Sequence, residues 1–282
     1  MSTVTYRANC HCKAYILETR VPKIESVVGC ECSSCTRRGT LWSFTSDYNF
    51  VQGDEGTLSD YTFGDFHYKF CTTCGTNLLV VGHDTGKGNR VGVNVRAIQD
   101  LDVWSLKIDE YKPDSVPAWS APVFKGQEPQ AELEGSRMYT GGCHCGAVTL
   151  AVKSKPLDEE DSGVEALECN CSICGRNAWV GLWFKNEYVS LEGLDTTTKY
   201  YMGRGNFARS HCKTCGVIIS NKSVPLSGDK RAAMPDQAKE WYQKGLDNWS
   251  LSARVFDDVS IDALKPQRID GWNWIQPMYV NP

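Results

Sequence analysis

Cys10-His11-Cys12, Cys30-Glu31-Cys32-Ser33-Ser34-Cys35 and Cys71-Thr72-Thr73-Cys74-Gly75 form a series that the chain then repeats. The second series is Cys143-His144-Cys145, Cys169-Asn170-Cys171-Ser172-Ile173-Cys174 and Cys212-Lys213-Thr214-Cys215-Gly216. Together they contain all 14 cysteines of the 282 residues. An ordered set of close cysteine pairs in a chain without a secretion signal reads as metal binding, with zinc the first choice and a disulfide framework the alternative.

The repeat extends beyond the cysteines. Tyr6 and Tyr139 each precede the first cysteine by four positions. Tyr61-Thr-Phe-Gly64 matches Tyr200-Tyr-Met-Gly203, and Arg96-Ala-Ile-Gln-Asp100 matches Arg254-Val-Phe-Asp-Asp258. A tandem duplication accounts for this order. The expected organisation is a first zinc-binding domain over 1–111, a Pro-rich linker over 112–137 and a second zinc-binding domain over 138–282. Pro113, Pro117, Pro122 and Pro129 remove backbone donors from the linker. Trp119 and Phe124 are read as pins holding it to a domain.

Strand signals dominate. Ala147–Val152, Asn77–Val81, Arg90–Val95 and Trp249–Val255 alternate or are rich in β-formers, and Gly53, Gly56, Gly86, Gly88, Gly203 and Gly205 mark turns. The pattern predicts one helix, from Pro235 to Leu246, with Ala238, Trp241, Tyr242 and Leu246 as its apolar stripe. It lies in an insertion from Lys222 to Asn248 that the first copy lacks, and this insertion favours the second copy as the substrate site. A second insertion carries the acidic run Asp158-Glu-Glu-Asp161, read as a solvated loop.

Composition narrows the function classes. The chain is 41% hydrophobic and 23% charged, with a formal charge of −4. It becomes more acidic if the thiols ionise on zinc. Such a chain, without a basic run, is a poor phosphate-backbone binder, so no nucleic acid is expected. No apolar run is long enough for a membrane span. The N-terminus lacks the apolar core of a signal peptide, and the expectation is a cytoplasmic protein.

Seven cysteines per copy divide into four plus three. In an extended Cys-x-Cys the two thiols face one side, so Cys10 and Cys12 can share a metal with Cys71 and Cys74, leaving His11 to point away. Cys143, Cys145, Cys212 and Cys215 repeat this around His144. Four thiolates close a structural zinc site. Cys30, Cys32 and Cys35, and likewise Cys169, Cys171 and Cys174, supply three ligands from one loop and leave a metal open to a substrate. A fourth ligand from elsewhere is the alternative, with His67, His83 and His211 available. His11 and His144 are expected to pack or hydrogen-bond rather than to catalyse.

Cys143-His-Cys-Gly-Ala-Val148, Cys169-x-Cys-Ser-x-Cys174, Cys212-x-x-Cys-Gly216 and Ala253-Arg-x-x-Asp-Asp258 resemble the glutathione-dependent formaldehyde-activating enzyme family, which also includes centromere protein V. The first copy departs at Lys13-Ala14, in place of Gly-Ala, and at Gln99. The resemblance implies packed antiparallel sheets related to methionine sulfoxide reductase B, mainly β, in two tandem domains. It implies up to four zinc ions, closed on the fours and labile on the threes. It also implies carbon–sulfur lyase chemistry on glutathione adducts, with glutathione as a cosubstrate.

A three-thiolate zinc is soft and favours sulfur ligands, which suits a small-molecule thiol adduct. The carboxylates of glutathione call for arginines, and Arg37, Arg38, Arg96, Arg176 and Arg254 are the candidates. Trp42, Phe44, Trp183 and Phe184 are read as core before pocket. Two other readings stay open: a zinc-assisted lyase or isomerase on a non-thiol metabolite, and a non-catalytic zinc scaffold or interaction module.

Overall fold

The computed structural model describes residues 2–84, 88–113, 116–159 and 162–282. Glu160 and Asp161 of the acidic run, and Gly86 of the turn at 86–88, lie outside them. Ten strands build the first domain: β1 Thr3–Asn9, β2 Ile16–Pro22, β3 Ser26–Cys30, β4 Trp42–Thr45, β5 Tyr48–Gln52, β6 Ser59–Phe63, β7 Phe66–Phe70, β8 Asn77–Asp84, β9 Gly88–Asn94 and β10 Lys107–Tyr111. Ten build the second: β11 Arg137–Gly142, β12 Thr149–Ser154, β13 Ala166–Cys169, β14 Val180–Lys185, β15 Val189–Glu192, β16 Thr197–Met202, β17 Phe207–Cys212, β18 Ile218–Ser223, β19 Asn248–Ser252 and β20 Gln267–Ile269.

The chain is mainly β, and the duplication is exact in topology. The first domain has a small sheet β1-β2-β5 and a large one ordered β10-β3-β4-β9-β8-β7-β6. The second has β11-β12-β15 and β20-β13-β14-β19-β18-β17-β16. Among the described residues only the β10–β3 and β20–β13 pairings are parallel. An isolated bridge ties each small sheet to the segment after β9 or β19, through Ala8 and Ile98 in one domain and Gly141 and Phe256 in the other.

Alternating inward residues fill each core. Leu17, Leu78, Leu79, Val93 and Val95 are fully buried in the first, as are Leu150, Leu182, Ile219, Leu251 and Val255 in the second. The paired tyrosines of the repeat cap them: Ile24 N–H donates to Tyr6 Oη at 3.0 Å and Leu157 N–H to Tyr139 Oη at 2.9 Å.

Among the described residues six helices interrupt the sheets, five of them beyond the sequence expectation. Two are single turns inside the three-cysteine loops, α1 Ser33–Arg38 and α2 Ser172–Arg176. The others are α3 Gly228–Ala232, α4 Asp236–Asp247, α5 Ile261–Leu264 and α6 Gly271–Trp274. The expected helix is α4, with Pro235 as its N-cap, one residue before the helix rather than in its first position. It packs on β18 and β19. Tyr242 is buried, and Ser223 Oγ donates to its carbonyl at 2.8 Å. The last predicted strand ends early, because Ala253–Val255 turns into a short 3-10 helix.

Candidate metal centres and the domain boundary

Each group of four joins the turns of two hairpins, β1–β2 with β7–β8 in the first domain and β11–β12 with β17–β18 in the second. Cys10 follows β1 in a tight turn closed by Cys10 N–H to the Tyr15 carbonyl at 3.1 Å and Lys13 N–H to the Cys10 carbonyl at 3.0 Å. Cys10-His-Cys12 is therefore a turn and not the extended segment that its spacing suggested. The outcome for the thiols is the same. At the position of Gly146 (φ 79°), Lys13 adopts φ 68°, a left-handed conformation that glycine accepts without strain.

The sulfur geometry fits zinc. Cys12 Sγ lies 3.5 Å from both Cys10 Sγ and Cys71 Sγ, and Cys145 Sγ lies 3.6 Å from Cys143 Sγ and Cys212 Sγ. A tetrahedral zinc with four thiolates separates its sulfurs by about 3.8 Å, whereas a disulfide holds them at about 2.05 Å. All 14 cysteines are free thiols. Charge competition inside each four points the same way. Hydrogen bonding with Cys12, Cys71 and Cys74 pushes the Cys10 thiol up. Cys74 is held well below the usual thiol range, its burial outweighed by its bonds to Cys10, Cys12 and Cys71. A divalent cation removes this conflict, because all four thiols can then ionise.

The three-cysteine groups converge as well, with their sulfurs within 4.8 Å of one another, and among the described residues no histidine or carboxylate joins either group. His67 is exposed beside Asp60, and His211 sits against the Thr72 carbonyl. The His83 side chain lies outside the described residues. Cys35 N–H donates to Cys32 Sγ at 3.4 Å as α1 begins. Hydrogen bonding with Cys30 and Cys35 draws the Cys32 thiol down to about 2. Cys174 is held well below the usual range by Cys169 and Cys171, with Arg209 adding to them. Trp42 is both core and site, since its Nε1 donates to Cys35 Sγ at 3.4 Å.

The two domains exchange their histidines. His11 Nδ1 lies 2.9 Å from Tyr200 Oη and its Nε2 3.0 Å from Ser172 Oγ, inside the second three-cysteine loop. His144 Nδ1 lies 2.7 Å from Tyr61 Oη and its Nε2 3.0 Å from Ser33 Oγ, inside the first. Burial takes both imidazoles down to about 4, so they are neutral at pH 7. The segment after each domain covers the histidine of the other. Trp119 of the linker stacks on His144 at 4.9 Å, and Tyr279 of the C-terminal segment stacks on His11 at 4.7 Å. Tyr61 and Tyr200 were legible only as a repeat; Ser33, Ser172 and Tyr279 carried no signal of this role.

The candidate arginines line this boundary. Arg37 donates to the Gly142 and Val255 carbonyls and forms a part-buried ion pair with Asp257. Its counterpart Arg176 meets Gln99's neighbourhood instead. It donates to the Asn9 carbonyl, to Asn9 Oδ1 and to Asn281 Oδ1. Arg38 Nη2 donates to the Cys215 carbonyl. Arg96 Nε donates to the Gly39 carbonyl and Arg254 Nε to the Ala178 carbonyl. Burial, and then the like charge of Arg254, disfavours the Arg96 cation.

A cavity of about 390 Å³ opens over the second group of three. Cys169, Cys171, Cys174, Ser172, Arg176 and Trp179 form its floor; Arg96 and Asp100–Trp104 of the first domain and Asp270, Trp272 and Asn273 wall it. The C-terminal segment closes in on the floor. Asn170 Nδ2 donates to Asp270 Oδ1 at 2.9 Å, and a Cβ at Gly271 would meet Cys169 Sγ at 2.5 Å. The insertion from Lys222 to Asn248 does not line this cavity. Its helix packs on β18 and β19 of the second domain, and Trp241 meets Trp183.

The family model for glutathione-dependent formaldehyde-activating enzyme matches residues 5–114 and 138–234, most of both domains. The chain belongs to this family. It carries the glutathione-dependent formaldehyde-activating domain twice. A solved structure of a Rhodobacter sphaeroides protein is 18% identical, covers 46% of this chain and 97% of its own, and has a TM-score of 0.33.

Proposed function

We propose that this protein is a zinc-dependent carbon–sulfur lyase that makes or breaks a C–S bond in an adduct of glutathione or another small thiol. The observation that carries the reading is a set of three converging thiols, unaccompanied by a fourth ligand among the described residues, at the floor of a cavity of about 390 Å³. That volume is in the range of small-molecule sites, which run from about 300 to 1,000 Å³. Cys169, Cys171 and Cys174, and Cys30, Cys32 and Cys35, would hold the labile zinc. Cys10, Cys12, Cys71 and Cys74, and Cys143, Cys145, Cys212 and Cys215, would hold the structural one. When bound at an open site, zinc lowers the pKa of a substrate thiol and polarises a carbonyl.

The chain's own residues supply binding and shape. Arg96 and Arg254, crowded at the boundary, favour an anionic neighbour, as a glutathione carboxylate provides. Arg176 and, in the first domain, Arg37 and Arg38 hold the loops in place. In the forming direction the thiol releases its proton to solvent, a sulfur lone pair bonds to the carbonyl carbon, the C=O π pair moves to oxygen, and that oxygen takes a proton back from solvent, so no net proton is gained or lost. Cleavage reverses each movement. The overall acidity of the chain supports a small-molecule substrate over a nucleic acid, and cytoplasmic residence suits its free thiols.

The test is exchange NMR on the zinc-loaded protein with glutathione and formaldehyde. Interconversion of the hemithioacetal and its parts should accelerate over the uncatalysed rate, and the acceleration should vanish when both Cys32→Ser and Cys171→Ser are present. An unchanged rate with the intact protein counts against the reading.

A further inference from the structure

The two three-cysteine groups differ at one position of the repeat. Tyr68 on β7 and Arg209 on β17 each stand three residues before a Cys-x-x-Cys pair, and they are 2% and 1% exposed. Tyr68 Oη lies 3.5 Å from Cys32 Sγ and 3.7 Å from Cys35 Sγ. Arg209 Nη2 donates to Cys174 Sγ at 3.3 Å, and its guanidinium lies 4.0 Å over the Trp179 ring. Arg209 Nε and Nη1 have no hydrogen-bond partner among the described residues. A buried guanidinium with unpaired donors is costly unless negative charge gathers beside it.

The first domain also has a guanidinium nearby, but it is aimed elsewhere. Arg38 stacks on the Tyr68 ring at 4.6 Å, with Nη1 on the Ser34 carbonyl and Nη2 on the Cys215 carbonyl. At its matching position the second domain has Asn177. Between the copies the charge has moved from a helix to a strand, and in the second copy alone it touches a thiol. Three thiolates around a divalent cation leave one net negative charge. Arg209 cancels it, so an added anion is met by a neutral group. Beside the phenol of Tyr68 the same anion adds to an existing negative charge, in apolar surroundings that include Trp42, Val80 and Val116.

We propose that Arg209 makes the second group of three the anion-accepting centre of the chain, its ligand a small-molecule thiolate, while the first favours a neutral ligand. The identity of the ligand as a thiolate rests on the proposed function; the preference for an anion does not. The cavity over Cys169, Cys171 and Cys174 gives a ligand access to this centre; its lining carries Arg96 and Arg176 but also Asp100, Asp102, Glu168 and Asp270, so the preference for an anion rests on Arg209 alone.

The test uses the full chain with cobalt in place of zinc. Cys32→Ser isolates the second centre and Cys171→Ser the first. Each is titrated with glutathione, azide and imidazole, read by cobalt absorption. The second centre should bind glutathione and azide at least about tenfold more tightly than the first, the scale of one charge-assisted contact, with imidazole equal at both. Arg209→Tyr in the Cys32→Ser protein should abolish the anion preference and leave imidazole unchanged, and Arg209→Lys should retain most of it. Equal anion affinity at the two centres overturns the proposal, and that comparison stands even if the Arg209 variants fail to fold. Equal loss of all three probes in Arg209→Tyr also overturns it. Azide preference with glutathione silent at both centres keeps the proposal's charge asymmetry and overturns its thiolate ligand, and with it the proposed function.

Discussion

The rings of Phe70 and His211 meet edge to face, their centroids 6.2 Å apart. The two residues occupy one position of the repeat, immediately before Cys71 and Cys212. Each also lies against the partner's Cys-x-x-Cys glycine: Phe70 against Gly216, His211 against Gly75. The domains are thus related by an approximate two-fold through this contact, and the exchange of His11 and His144 follows from it.

Gly75 and Gly216 should not tolerate a side chain. Both have positive φ, 71° and 69°. A Cβ would come within 2.8 Å of the His211 ring in one case and 2.7 Å of the Phe70 ring in the other. The left-handed backbone alone costs an alanine about 1–2 kcal/mol, and the collision adds to it. Gly75→Ala and Gly216→Ala should each lower the denaturation midpoint, whereas Gly135→Ala, with open space and a φ of 69°, should show only the backbone part.

Arg37 and Arg176 are counterparts that should differ in worth. Arg37 pairs with Asp257, whose side chain is 13% exposed. Gln99 holds the matching place in the first domain, so Arg176 meets only neutral acceptors. Arg37→Met strands a part-buried carboxylate and should cost about 3 kcal/mol, the lower end of the range for a buried pair. Arg176→Met leaves neutral groups and should cost about 1–3 kcal/mol. Chemical denaturation of the two variants measures the difference; equal losses would mean that the ion pair contributes no more than a neutral contact.

Acid should loosen the boundary. His11 and His144 titrate near 4 in the folded protein against 6.5 when free. A depressed histidine pKa means that the unfolded chain binds more protons, so stability is intact above pH 6.5 and falls as pH drops towards 4. Thermal melting across this window, with zinc content followed at each pH, should show the decline. The His11→Gln, His144→Gln double variant should flatten it.

The division into four plus three was legible because ligand spacing is local, and so was the duplication. The helix at Asp236–Asp247 was legible because twelve residues suffice to show an apolar period. α1 and α2, at six and five residues, are too short for one. The exchange of histidines was not legible, because residues 161 apart that meet across a boundary leave no pattern in one sequence. Arg209 carried no signal of its role, because a contact with a thiol 35 positions away leaves no local pattern. The long insertion pointed to the second copy, over whose three cysteines the cavity lies, but length does not say which face a segment covers, and the cavity is walled by residues of 96–104 and the C-terminal segment.

Metal content should reveal that the centres are linked across the boundary. The sulfur sets provide for about four zinc ions per chain, two closed and two open. Cys171→Ser removes one ligand of an open centre, so elemental analysis should find about three zincs and a fold that still melts cooperatively. Cys71→Ser opens a closed group of four; a zinc held there would contribute on the order of 10 kcal/mol to folding, so the first domain should lose order. The consequence reaches further. Cys71 belongs to the group that holds the turn of His11, and His11 Nε2 lies 3.0 Å from Ser172 Oγ, between Cys171 and Cys174. Cys71→Ser should therefore release a second zinc, from the open centre of the other domain, and expose Cys169, Cys171 and Cys174 to alkylation by iodoacetamide. Ser172→Ala, which breaks the contact without touching a ligand, should weaken zinc retention at the second open centre while leaving the closed centres filled. Retention of zinc at Cys169, Cys171 and Cys174 in the Cys71→Ser protein would show that each domain holds its metals independently of the other.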